Sequence, residues 1–221
     1  MSPSPSSSAP GGATNANPTI SALENFIHRS KPSSPASKSP VHHPDELRTL
    51  ALQVAHNLKF QHEWSDIRFH YRPSERATGA CLPRPLLSGL PPRRLYVHPD
   101  EQIEVLRQQR EQGKAGWPDL ASEREWVLPT HLRESWTLRR FAEVFDALAV
   151  VPREGEGTGV DFPEGGAATV ASHSTPGAAG SGEVSTWRKT QPKRLLLSTV
   201  EDDSTVVYYI VHDGIVKPRQ N

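Results

Sequence analysis

The chain has 221 residues, enough for one ordinary domain, yet only 35% are hydrophobic while 21 are proline and 15 glycine, a composition that favours one domain with long disordered parts. Lysine plus arginine equals aspartate plus glutamate, 25 each, which excludes the overall basic excess of a protein that holds nucleic acid by neutralising phosphates. The single cysteine, Cys81, excludes an internal disulfide, and no Cys/His spacing suggests a zinc site.

No apolar run approaches the roughly 20 residues of a membrane span, and the Ser/Pro-rich start does not read as a secretory signal. The expectation is therefore a soluble intracellular protein with no metal, no cofactor and no membrane insertion. Residues 1–42 read as a disordered tail, too poor in apolar surface to offset chain entropy. One island interrupts it: TISALENFIHRS, 19–30, places Ile20, Leu23, Phe26 and Ile27 on one helical face. Two readings stand, a docking helix or a nascent helix in a floppy tail, because isolated helices this short are marginal.

A single domain is expected over 43–218. HPDELRTLALQVAHNLKF aligns Leu47, Leu50, Ala51, Val54, Ala55 and Leu58 at helical spacing, with Pro44 suited to the first turn and Asp45 and Glu46 complementing the dipole. In WSDIRFHYRP, Ile67, Phe69 and Tyr71 alternate with Arg68 and His70, which predicts a half-buried strand ended by Pro73. Leu86 and Leu87 suggest a short extended piece, and Gly89, Pro91 and Pro92 a turn. Residues 94–97 read as another short strand. His98 is placed to cap a helix with Pro99 at its first position; Ile103 and Leu106 give it only a narrow apolar stripe, so it belongs on the surface.

Residues 126–128 predict a further short strand. SWTLRRFAEVFDALAVV predicts an amphipathic helix with Leu138, Phe141, Ala142, Phe145, Leu148 and Ala149 in register. Residues 153–185 are rich in Gly, Ser, Thr and Ala and read as a disordered, solvated insert, tolerated because closure entropy grows slowly with length. KRLLLSTVEDDSTVVYYIVHDGIVKP then predicts two strands around an acidic turn, Glu201, Asp202 and Asp203.

No GxGxxG, P-loop, HExxH or GxSxG motif is present, and none of the ten histidines has spacing that marks a catalytic group. LPPRRL resembles a polyproline ligand core but, flanked by strand-like segments, reads better as a rigid turn. The basic cluster Arg188, Lys189, Lys193 and Arg194 offers a candidate contact to RNA phosphates, against the plainer reading of a solvated strand entrance.

The most informative stretch is TVVYYIV, 205–211. Val206, Tyr208 and Ile210 share one face, while Thr205, Val207, Tyr209 and Val211 share the other, and Leu195, Leu196 and Leu197 repeat the pattern in the partner strand. A strand apolar on both faces must be covered on both. Either this chain's helices cover both, or a second protein covers the remainder. The second reading makes Val206, Val207, Tyr208, Tyr209, Ile210 and Val211 an interface, since a bare apolar edge invites aggregation and tyrosines favour interface cores.

The ending EDDSTVVYYIVHDGIVKP, with SGLPPRRLYVHPDEQIE and EWVLPTHLRESWTLRRFAEVFDAL, resembles the smallest non-catalytic subunit of the eukaryotic tRNA-splicing endonuclease, the Sen-fifteen type, in its fungal branch. The likeness covers about 43–151 and 188–218. It implies an α/β fold, an α+β mixed sheet like the catalytic domain of tRNA-intron endonucleases. It also implies a heterotetramer, in which this subunit pairs by its C-terminal strand with the catalytic subunit that cuts the 3′ splice site. Two further subunits complete the complex, and an acidic loop, matched by position and charge to Glu201, Asp202 and Asp203, docks the other half.

The cutting subunits of that family use a Tyr, a His and a Lys to leave 2′,3′-cyclic phosphate and 5′-hydroxyl ends. Nothing here matches their motif, so no catalytic residue carries over and the chain is expected to be structural, contacting pre-tRNA indirectly. The resemblance implies the nucleus, with the cytosolic face of mitochondria as the alternative. An isolated chain is expected to homodimerise through the same strand. The competing function classes are a stand-alone RNA-binding module and a self-sufficient nuclease.

Overall fold

In the computed structural model, which describes residues 21–30, 44–72, 82–162 and 186–214, the first long helix is Asp45–Phe60 (α2). Asp45 and Glu46 lie in its first turn, where negative charge complements the dipole. Pro44 stands one place earlier than expected, at the N-cap. Leu50, Ala51, Val54, Ala55 and Leu58 are all buried, so the helical spacing of these residues marks the face that meets the sheet.

The strands are β1 (Ser65–His70), β2 (Leu86–Leu90), β3 (Glu125–His131), β4 (Thr158–Gly159), β5 (Arg194–Val200) and β6 (Val206–His212). They form one mixed sheet in the order β4–β1–β2–β3–β5–β6. Every neighbouring pair is antiparallel except β3 and β5. Helix α4 (Leu138–Ala147) follows β3 within that parallel crossover.

Side chains alternate across this sheet and feed two cores. Ile67, Phe69, Leu87, Val127, Leu196 and Val200 meet α2 on one face. Leu86, Trp126, Leu128 and Leu195 meet Val144, Phe145 and Leu148 of the α4 region on the other. Between β3 and β5, Thr130 donates to the Ser198 carbonyl at 3.0 Å and Ser198 to that of Leu128 at 3.2 Å. These bonds let two hydroxyls sit fully buried at the centre.

Of the two readings of 19–30, the docked helix is the one found. In α1 (Ala22–Arg29), Ser21 and Glu24 form a capping box, and Phe26, 1% exposed, stacks on Phe162 with centroids 5.2 Å apart. An eight-residue helix is marginal alone, but burying one phenylalanine contributes about 2–3 kcal/mol, which holds it against α2. Gly89 belongs to β2 rather than a turn. A Cβ there would lie 2.8 Å from Trp64 Cε3, so the strand needs glycine for its close approach to a buried ring.

β3 extends past the expected 126–128 to His131, through Pro129. Beyond Val127 its register partners lie on β5 alone, and such a one-sided stretch tolerates a residue without an N–H. Residues 94–97 form no strand. Arg94 is turned inward to Glu101 and Glu123, at 3.0 and 2.8 Å, so side chains hold this segment in place of a ladder. In helix α3 (Pro99–Glu111), capped by His98 as expected, the residue buried is accordingly Glu101. In α4, Leu138 is 89% exposed, and Val144 takes the place it was assigned in the core.

The first part of the glycine-rich insert is built structure. Residues 153–162 include β4, which pairs with β1, and Val160 and Phe162 pack on the α2 core. Gly157 has φ 88°, and a Cβ there would meet the Phe69 carbonyl at 2.6 Å and the His70 ring at 2.8 Å. The rest of the insert, residues 1–20 and 31–43 of the tail, Pro73, Cys81 and the IVKP end lie outside the described residues.

Under that strap, His70 is 2% exposed. Its Nε2 shares a hydrogen bond with Ser88 Oγ at 2.8 Å, with the Trp126 ring edge-on at 4.7 Å. Burial, then the charges of Arg124 and Arg68, push the imidazole down to about 4. The folded chain therefore excludes a proton that the unfolded chain takes up below about 6.5. Stability from this residue is full above that pH and is lost as pH falls towards 4, on the order of 3 kcal/mol in all. Urea titrations between pH 7 and 4.5 are expected to show stability falling with acid, and His70→Gln to flatten that limb.

Candidate functional site

β5 and β6 form a seven-rung antiparallel hairpin, from Arg194 opposite His212 to Val200 opposite Val206. Its turn closes through Glu201 N–H to the Thr205 carbonyl at 2.9 Å and Ser204 N–H to that of Glu201 at 3.0 Å. Ser204 takes a positive φ of 69°. Asp203 accepts the Thr205 N–H at 2.8 Å, and that bond holds its carboxyl below the usual range. Asp202 pairs with Arg133 and lies 3.3 Å from His131 Nε2, tying the turn to the β3–α4 loop. Glu201 is the acid of this turn whose carboxylate has no partner among the described residues.

The register decides where the apolar residues of β6 go. Val206 and Tyr208 face α2 and pack on its core. Tyr208 donates its hydroxyl to Asn57 Oδ1 at 2.7 Å and meets the His62 ring edge-on at 5.1 Å; burial raises its ionisation well above the ordinary tyrosine range. Val211 packs on the α4 side. The expected six-residue set thus divides. Val206, Tyr208 and Val211 are largely committed to this chain's own cores, whereas Val207, Tyr209 and Ile210 are 44, 57 and 39% exposed.

β6 is also the last strand of the sheet. One side of its backbone pairs with β5, and the other faces no strand among the described residues. An edge of seven residues with β-branched and aromatic side chains is the kind of template that another strand extends. The opposite edge is β4, two residues long.

Two members of the basic cluster, Arg188 and Arg194, are turned inward rather than toward solvent. Arg188 is buried and bonds Glu125 Oε2 at 3.3 Å. Arg194 is buried between Glu125 and Glu123, with Nε 3.2 Å from Glu125 Oε1 and Nη2 3.2 Å from Glu123 Oε2. Lys193 donates to the Phe145 carbonyl at 2.7 Å, near the end of α4 where a cation offsets the helix dipole. Lys189, in helix α5 (Thr186–Thr190), is the member that remains exposed. With Arg94, Glu101 and Glu123, the two arginines and Glu125 form a buried ion cluster at the root of β5.

That cluster also fixes the far end of β6. Tyr96 lies over the Arg194 guanidinium at 5.1 Å and meets the His212 ring at 5.0 Å. Burial, then Arg194, Arg188 and His98, lower the His212 ionisation. Sequence reasoning missed this anchor and the Asp202–Arg133 tie, because each joins residues about 70 or more apart and has no local pattern. Among the described residues, no group of three or more His, Cys, Asp or Glu side chains could hold a metal ion. Among the described residues, no helix is long and apolar enough to cross a membrane.

A family model described as Sen15 protein matches residues 53–157 and 182–221. A probable tRNA-splicing endonuclease subunit, tsp-1 of Neurospora crassa, is 41% identical over 178 residues, covering 79% of this chain and 67% of the relative.

Because Tyr208 serves its own core, Tyr208→Phe is expected to cost about 1 kcal/mol through loss of the Asn57 bond, read as a small fall in the urea midpoint with an unchanged m-value.

Proposed function

The chain belongs to the Sen15 protein family, and on that basis we propose that it is a structural, non-catalytic subunit of a tRNA-splicing endonuclease. The observation that carries the reading is the β6 edge, unpaired among the described residues, with Val207, Tyr209 and Ile210 exposed beside it. A catalytic subunit, the one that cuts the 3′ splice site, adds its own C-terminal strand along β6. Two further subunits complete a heterotetramer that excises introns from pre-tRNA, leaving 2′,3′-cyclic phosphate and 5′-hydroxyl ends. The six-stranded mixed sheet with helices on both faces is compatible with a tRNA-intron endonuclease-like domain.

A structural role also suits the state of the histidines. His70 and Ser88 make the one close His–Ser pair among the described residues, and both are buried away from any substrate. His131 is engaged with Asp202. The acidic turn docks the second half of the complex, chiefly through Glu201, since Asp202 and Asp203 already serve the turn itself. The site of action is the nucleus, and pre-tRNA is contacted indirectly, the inward-facing Arg188 and Arg194 speaking against a stand-alone RNA-binding module. The isolated chain self-associates through β6 when no partner is present.

For a standard interface of about 1,600 Å², a few central apolar anchors dominate the affinity. Val207→Asp with Tyr209→Asp places charge on the exposed face of β6 without touching either core. The double variant is expected to fold with a thermal midpoint near that of the parent chain and to lose co-purification with the partner subunits. Assembly at the parent yield would contradict the interface. Substituting Val206 and Tyr208 tests less, because both pack against this chain's own α2 core.

A further inference from the structure

At the opposite end of the sheet from β6, helices α1 and α2 and the β4 strap enclose a cleft of about 420 Å³, within the size range of small-molecule sites. Arg29 and Arg48 both line it. Neither makes an ion pair among the described residues. Arg48 donates one guanidinium nitrogen to the Ser30 carbonyl, while its Nε is buried with no acceptor. A buried guanidinium N–H without a partner is costly, and the guanidinium nitrogens that reach the cleft suit an oxyanion in the forked geometry that arginine favours.

Four of the other lining residues are aromatic: Phe26, Phe69, Tyr71 and Phe162. Tyr71 stacks on Phe69 at 5.8 Å and Phe162 on Phe26 at 5.2 Å, with interplanar angles of 4 and 12°. Phe26 and Phe69 are buried, while Tyr71 and Phe162 are half-exposed. Asp161 places one carboxylate on the lining, so two guanidiniums leave it with a net positive charge. Guanidiniums with no carboxylate partner among the described residues, set beside flat apolar rings, fit a ligand that joins an anion to a planar ring.

We propose that this cleft binds a nucleotide, its phosphate on Arg48 and Arg29 and its base against Tyr71 and Phe162. The nucleotide is either free or the terminal residue of an RNA. This site is independent of the β6 interface: it lies at the other end of the sheet and shares none of its residues.

The test is calorimetric titration of the full chain with 5′-UMP, 5′-AMP, uridine, inorganic phosphate, and a short RNA with or without a 5′-phosphate. The monophosphates are expected to saturate in the sub-millimolar range, at least about tenfold tighter than uridine or inorganic phosphate. Arg48→Gln and Arg29→Gln should each weaken binding by about tenfold or more. Arg29 is exposed, so its variant keeps the parent thermal midpoint and separates a lost contact from a lost fold. Preference for the 5′-phosphorylated RNA assigns the site to an RNA end; equal binding of free monophosphate assigns it to free nucleotide. No saturation by about 10 mM monophosphate, or parent-like binding by Arg29→Gln and Arg48→Gln together, overturns the site. Equal affinity for inorganic phosphate and 5′-UMP removes the role of the rings.

Discussion

A β-sheet has two edges, and the peptide groups along each must be paired, hydrated or covered. Here the two edges are treated in opposite ways. On one, β4 pairs two residues with β1, Gly157 lets the strap press onto Phe69 and His70, and Phe162 closes the surface against α1. On the other, β6 runs for seven residues with no strand beyond it among the described residues and three large apolar side chains exposed. The asymmetry organises the molecule: α1 and part of the glycine-rich insert cover the first edge, and no strand among the described residues covers the second.

The open edge is held firmly from below. At one end, Arg194 sits in the buried ion cluster and under Tyr96, which also contacts His212 of β6. At the other, the turn is anchored through Asp202 to Arg133 and His131. Between them, Tyr208 is bonded to Asn57 of α2. Breaking a buried ion pair by removing one partner leaves an uncompensated charge and is strongly destabilising. Loss of one member would therefore also release this end of β6. An edge fixed at both ends and in the middle presents its backbone in one register, which a partner strand requires.

Much of this was legible in the sequence, for identifiable reasons. Period-2 alternation in 205–211 located β6 and its two-sided apolar character, and helical spacing located the buried face of α2, because both patterns are local. The misreadings arise where a distant residue decides the outcome. Arg188 and Arg194 look solvated beside two lysines, but their carboxylates come from residues 63 to 71 positions away. Gly89 looks like a turn residue beside Pro91 and Pro92, yet it answers to the Trp64 ring. Leu138 fits the helical stripe of α4 but falls in its first turn, beyond the reach of the core. The partition of β6 into core-facing and exposed residues also needed the observed register, since alternation alone cannot say how far α2 and α4 extend over a strand.

The central claim is that β6 is an unfinished edge completed by another polypeptide. Hydrogen–deuterium exchange of its amides, compared between the free chain and the chain assembled with its partner subunits, tests this directly. The account predicts that alternate amides of Val206–His212, those turned away from β5, exchange fast in the free chain and become protected on assembly, while the β4 edge stays unchanged. Equal exchange of those amides in both states, with the complex intact, would contradict it.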